Sequence, residues 1–297
     1  MSDFELYYEL FGLSFWASLA VGAVLPLVGA LLFLRREAFL GVAVPQFSAA
    51  GLAGGLWLLP LFPAATAEFL EHGHPPMLYM LPFASGGALL ALAAFGRPAG
   101  GRPAPAPEGR LAGGFALAVA LELVFLARAP AGANLAETLL RGEILLLDIH
   151  GFEALLATTL AVLMFLVACR RTVLLSAFDP EQSAALGQPR VAIERGLLLA
   201  TGLAVGAGVM TVGPVLVFGL LFLPPLAARA LAPRLGAFLT LVLVFGLLSV
   251  LLAWPASLLL DLPYGPAVAL MAAVTWGVAE LARRLLRSAP RARAATR

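Results

Sequence analysis

An all-α, polytopic membrane protein with about nine transmembrane helices is the fold class this sequence predicts, and three observations predict it. Of 297 residues, 61% are hydrophobic and 12% charged, about half the charge of an ordinary soluble domain. The apolar residues fall into runs of about 20, the length that crosses a bilayer core. Arginines gather between alternate runs, as expected of cytoplasmic loops. One membrane domain covering residues 1–297 accounts for this pattern better than several soluble ones, with the bundle at 11–286. The acidic N-terminus MSDFELYYE lacks the basic region of a secretory signal, so no cleavable leader is expected. The single cysteine, Cys169, excludes an intrachain disulfide and cannot by itself make a thiolate metal site.

The spans follow in order. The first runs from Phe11 to Leu34, the second from Phe39 to Phe62, the third from Met77 to Phe95 and the fourth from Leu111 to Leu126. The fifth covers Phe152 to Cys169. After a polar segment come Gly196 to Val212, Pro214 to Leu231, Leu235 to Leu260 and Pro266 to Leu286. If Val212-Gly213-Pro214 is a kink in one irregular span, the count is eight. Basic groups occur at Arg35/Arg36, at Arg97, Arg102 and Arg110, at Arg170, Arg171, Arg190 and Arg195, at Arg229 and Arg234, and in the tail. Nine spans put all of them on one side, the cytoplasm, with a cytoplasmic C-terminus. The acidic stretches fall on the other side. The Pro/Gly-rich stretch 97–110 reads as a flexible cytoplasmic linker. The basic tail 287–297 reads as a cytoplasmic anchor rather than a nucleic-acid site.

Few residues could carry chemistry. Leu34 to Gly51, LRREAFLGVAVPQFSAAG, closes one span with two arginines and places Pro45 and Gln46 early in the next. Helix-breaking and polar residues at that depth need protein or a water-filled path around them. Glu122 is an acid placed inside the fourth span. It is either a path residue, with Arg128 or a polar group as partner, or an acid snorkelling to the outer interface. Met210 and Thr211 stand at the Gly213-Pro214 break and could line the path, although packing explains Met210 as well. All three histidines fall outside. His72 and His74 sit near Glu68 and Glu71, and His150 sits near Asp148 and Glu153. They are either solvated loop residues or a weak metal-capture vestibule, since the ligand types suit a cation but the spacing does not define a site.

Residues 175–190, LSAFDPEQSAALGQPR, read as a short cytoplasmic helix between spans. Asp179 is an N-cap, Pro180 stands at the first helical position, Glu181 faces the positive dipole end, and Gly187 is a stop. It is either an amphipathic connector or a helix that docks in a groove on a soluble partner.

FDPE followed by ALG resembles the coupling loop of the metal-ion ABC transporter permeases, the membrane subunits of bacterial zinc, manganese and iron importers. LRREAFLG resembles that family's LRRxxFLGDALSHA segment, and RGEIL at Arg141 to Leu145 resembles its GDIL. Thr211 to Leu231 is similar to xVGxLLVxALLxxPAAxARLL, and Leu260 to Val268 to LDLPSGAxI. The matches occur in family order along nearly the whole chain. They imply a type II ABC importer permease in the bacterial inner (plasma) membrane, paired with a second copy of itself and bathed in membrane lipid. An ABC ATPase dimer, which binds ATP and Mg, would dock through Phe178, Asp179, Pro180, Glu181, Ala185, Leu186 and Gly187. A periplasmic solute-binding protein would deliver cargo. The chain has no P-loop and no lysine, so no ATPase site, no cofactor of its own and no enzymatic activity are expected.

One departure bears on cargo. The family's Asp/His pair, four residues apart, falls here on Val42 and Gln46. Valine binds no cation and an amide is a poor zinc ligand. The expected cargo is a divalent transition metal (zinc, manganese or iron), with a chelated metal or small organic nutrient on the same architecture as the alternative. An intramembrane enzyme is disfavoured because no HExxH occurs and Ser85-Gly86-Gly87 lacks a nucleophile-elbow context. A signalling module would carry a large extramembrane domain, and no such stretch is read.

Overall fold

The computed structural model describes residues 3–72, 75–96, 108–130, 149–178 and 180–288. Eleven α-helices run in order through these residues, and no strand occurs among them. They are α1 (Asp3–Leu34), α2 (Leu40–Leu58), α3 (Pro63–His72), α4 (Met77–Phe95), α5 (Glu108–Arg128) and α6 (Ile149–Ala168). After them come α7 (Arg170–Phe178), α8 (Pro180–Ala185), α9 (Arg190–Leu231), α10 (Leu235–Leu260) and α11 (Tyr264–Ser288). Among the described residues, eight helices are long and apolar enough to cross a membrane, the sixth of them 41 residues long. The chain is a multi-pass membrane protein.

That long helix, α9, decides the number of passes. Gly213 inside it has φ 78° and ψ 161°, a backbone region that only glycine enters without strain. Pro214 follows and lacks the N–H needed to continue the ladder. Near the start of α9, Leu197 packs with Leu31 and Val173; near its end, Ala228 packs with Ala30 and Phe238. Leu34 at the end of α1 lies against both groups. In a straight helix, Leu197 and Ala228 would stand about 46 Å apart. The helix therefore doubles back at Gly213. Its two arms are about 34 and 27 Å long, comparable with a bilayer core. The described chain thus passes nine times along the bundle, as the basic-residue pattern predicts.

The ends of α1 and α2 show how one side of the bundle is built. α1 closes in a Schellman turn: Arg36 N–H donates to Phe33 O at 3.0 Å and Glu37 N–H to Leu32 O at 2.8 Å. Arg36 takes the left-handed position usually given to glycine, with φ 61°. Arg229 lies over the Phe33 ring at 5.5 Å, and Arg110 reaches the Ala94 carbonyl at 3.3 Å. These contacts gather the arginines of several inter-span segments at one end of the bundle, here called the basic end.

The doubled α9 is central, packing on α1, α2, α4, α10 and α11, whereas α5 rests almost entirely on α2. Without a hydrophobic force between helices in lipid, close packing depends on small residues. A Cβ on Gly29 would run into the Leu221 carbonyl, and one on Gly87 into the Phe47 carbonyl. At the other end, Trp254 Nε1 donates to Ser18 Oγ at 3.2 Å and Tyr264 Oη to the Val250 carbonyl at 3.3 Å. Both bonds satisfy polar atoms that lipid or core would leave unpaired.

Two local expectations change. The stretch before His72, read as an external loop, is helical as α3. Ala65 and Phe69 pack it against the group around Leu56, and Thr66 Oγ1 donates to Leu59 O at 2.8 Å. The segment expected to be cytoplasmic is longer than one short helix, because α7 precedes α8 and packs Val173 under α1 and α9. The linker 97–107, the RGEIL motif and the tail beyond Ser288 lie outside the described residues.

Candidate functional site

Val42 and Gln46 are one turn apart on α2 and share one helical face. Both are half-buried on a helix whose neighbouring positions Ala43, Val44, Pro45 and Phe47 are buried. The face they form looks toward α5. A cavity of about 430 Å³ opens between the two helices at the basic end, lined by Phe39, Val42, Ala43, Leu111, Ala112 and Phe115. Every lining side chain is apolar.

The polar centre stands above this cavity. Gln46 Nε2 on α2 donates a hydrogen bond to Glu122 Oε2 on α5. Glu122 is 2% exposed. The sequence left Glu122 open between a path residue and an acid snorkelling to the interface, with Arg128 as a candidate partner. The structure places it inside the protein, with Gln46 as its partner. Pairing is physically required, because a buried carboxylate with no donor would carry several kcal/mol of uncompensated desolvation. Trp57 and Phe125, stacked at 5.4 Å, hold the same two helices together farther along.

The other expected path residues are not part of this centre. Thr211 is buried and its hydroxyl donates back to Ala207 O at 2.9 Å within its own helix. Met210 packs against the apolar group that includes Leu56, Met80 and Leu126. Of the histidines, His74 lies outside the described residues. His72 ends α3. His150 Nδ1 is 3.7 Å from Glu153 Oε2, with both side chains largely in solvent. No group of three or more His, Cys, Asp or Glu residues capable of holding a metal occurs among the described residues.

A second surface lies at the basic end. Asp179, the expected N-cap, lies outside the described residues, whereas α8 begins at Pro180 as expected. Gly187 takes φ 66° and ends the segment, with Gln188 N–H donating to Ser183 O at 3.3 Å. Glu181, Ala185, Leu186 and Gly187 are all exposed. Leu186 is 63% exposed. Leu186 thus stands as a single large apolar side chain on the surface of this capped turn.

A sequence profile described as the ABC 3 transport family matches residues 111–282, more than half of the chain. The chain belongs to the ABC 3 transport family. This ABC 3 family chain is 32% identical over 141 residues to the manganese transport system membrane protein MntC of Halalkalibacterium halodurans, with 48% of each chain covered. It thus spans about half the length of the relative it matches in sequence. In three dimensions it resembles PsaBC from Streptococcus pneumoniae in complex with Fab, with TM-score 0.73, 18% identity, and 94% and 95% of the two chains covered. It also resembles an inward-facing metal-chelate type ABC transporter, with TM-score 0.67, 16% identity, and 95% and 88% covered. These likenesses bear out the ABC permease fold and the family read from the motifs.

The motifs carried the family assignment, but the Gln46–Glu122 pair was not legible as a pair. Its members are 76 positions apart. The available signal was that each is a strongly polar residue in an apolar run.

Proposed function

We propose that this chain is the membrane-spanning permease subunit of a bacterial ABC importer, and that it passes a divalent transition metal such as manganese, zinc or iron. Its basic end, including the C-terminus, faces the cytoplasm. Two copies frame the pathway. A periplasmic solute-binding protein delivers cargo on the far side, and two ATPase subunits, which bind ATP and Mg, dock on Phe178 to Gly187.

The observation that carries the reading is the buried carboxylate of Glu122 on α5, held by Gln46 on the half-buried face of α2. A cation crossing a low-dielectric bundle loses hydration, and a carboxylate held at that depth offsets that loss when the cation takes the place of its proton. An anionic or neutral organic cargo gains nothing from it. The manganese relative, the family and the exposed Leu186 turn support the same reading. The chain's own work is to hold Glu122 at depth and exclude water below it with the apolar cavity walls. The turn passes ATPase motion through α7 and α8 to the doubled α9. Transport forms no covalent bond to the protein.

The test is ATP-dependent uptake of manganese, zinc and iron in proteoliposomes holding the complete complex. Glu122→Leu should lower uptake at least about tenfold while leaving complex assembly intact. Absence of ATP-dependent uptake of all three metals by the wild-type complex would sink the importer-of-metal reading.

A further inference from the structure

We propose that Gln46 is a specificity-determining residue that keeps the passage oxygen-only, so that hard, water-retaining divalent cations of the manganese(II) class pass in preference to zinc(II). The inference rests on the transport reading above and deepens it.

An ionised carboxylate only accepts hydrogen bonds, whereas an amide has one donating and one accepting end. The bond from Gln46 Nε2 to Glu122 Oε2 therefore sets which way the amide points. Gln46 Oε1 and Glu122 Oε1 remain as the unused acceptors of the pair, and both are oxygen. Val42, one turn away, and the cavity walls Phe39, Ala43, Leu111, Ala112 and Phe115 supply no donor atom. The thioethers of Met80 and Met210 belong to the apolar group around Leu56 and Leu126. No three-residue cluster of His, Cys, Asp or Glu closes a cage among the described residues.

Ligand type then sorts the cargo. Carboxylate, carbonyl and water suit manganese, magnesium and calcium, whereas imidazole and thiolate raise the preference for zinc and copper. Zinc takes four close nitrogen, sulfur or oxygen ligands and is held by them. Two oxygens per chain cannot strip a cation of its waters, so the ion is bound weakly and released readily, as conduction requires. An imidazole at position 46 would add one strong zinc ligand beside the carboxylate and turn a conduit into a trap.

The experiment compares manganese(II) and zinc(II) uptake from an equimolar mixture by the complete complex, with the same binding protein and ATPase throughout. Gln46→His should shift the manganese-to-zinc ratio toward zinc about tenfold, whereas Gln46→Glu, still all oxygen, should stay within about twofold of wild type. If Gln46→His stalls transport, the purified complex should retain zinc, and that zinc should be lost in Gln46→His/Glu122→Gln. An unchanged ratio in a Gln46→His complex that still transports overturns the proposal. So does a stalled complex without Glu122-dependent zinc, or an equal shift in Gln46→Glu. A wild-type complex that moves neither ion under ATP indicts the transport reading instead.

Discussion

A disulfide across the α9 turn would test the doubled helix directly. A Cβ built on Gly208 lies 3.0 Å from Val217 Cγ2. One further carbon–carbon bond puts the two Cβ atoms at most about 4.5 Å apart, within the range a disulfide spans. In an unbroken helix, nine residues separate the same positions by about 13.5 Å. Gly208→Cys with Val217→Cys, in a Cys169→Ser background, should therefore oxidise to an intramolecular bridge. Replacing Val217 also removes the methyl that a lone Gly208→Cys would crowd. The assay is labelling with a thiol-reactive polymer in denaturant: no added mass after mild oxidation, and two increments after reduction. The same nine-residue spacing at Val244 and Ala253, within α10, should give two increments under both conditions. Two increments from the α9 pair after oxidation would mean the helix is continuous, and the ninth pass would be lost.

Two further outcomes follow from local geometry. Gly87→Ala should lower stability by about 1–3 kcal/mol, because its new methyl meets the Phe47 carbonyl. The adjacent Gly86→Ala meets nothing within 4 Å and should be neutral or stabilising by up to about 1 kcal/mol. Denaturation in mixed micelles reads both, and equal effects would refute the close α2–α4 packing. At the proposed docking surface, Leu186→Asp and Gly187→Trp should each reduce copurification of the ATPase subunit at least about tenfold. Undiminished copurification of both variants would remove α8 and its turn from the coupling role.

The membrane class, the span lengths, the family and the short helix ending at Gly187 were legible in the sequence because each is a local property. Apolar run length, arginine placement, and the order Asp179-Pro180-Glu181 to Gly187 each report on their own segment. Gly213-Pro214 marked a break, and the side of the basic residues indicated that it was a reversal. The partner of Glu122 was not legible. Within its own run LAVALELVFLAR, an acid near the outer end is equally consistent with an interfacial position. Helix α3 was also missed, although Pro63 at its start and its Ala, Glu and Leu residues favour a helix; Ala65 and Phe69 fix it against other helices.

By itself, then, the sequence determined that the chain crosses a membrane many times, which end gathers the arginines and which family it belongs to. All of this follows from hydration and charge along the chain. Only the tertiary structure decided that α9 doubles back at Gly213 and that α5 rests on α2. The same packing brings Gln46 and Glu122 into one buried pair. The physical reason is that a lone polar residue in an apolar span is a cost without a location until packing supplies its partner.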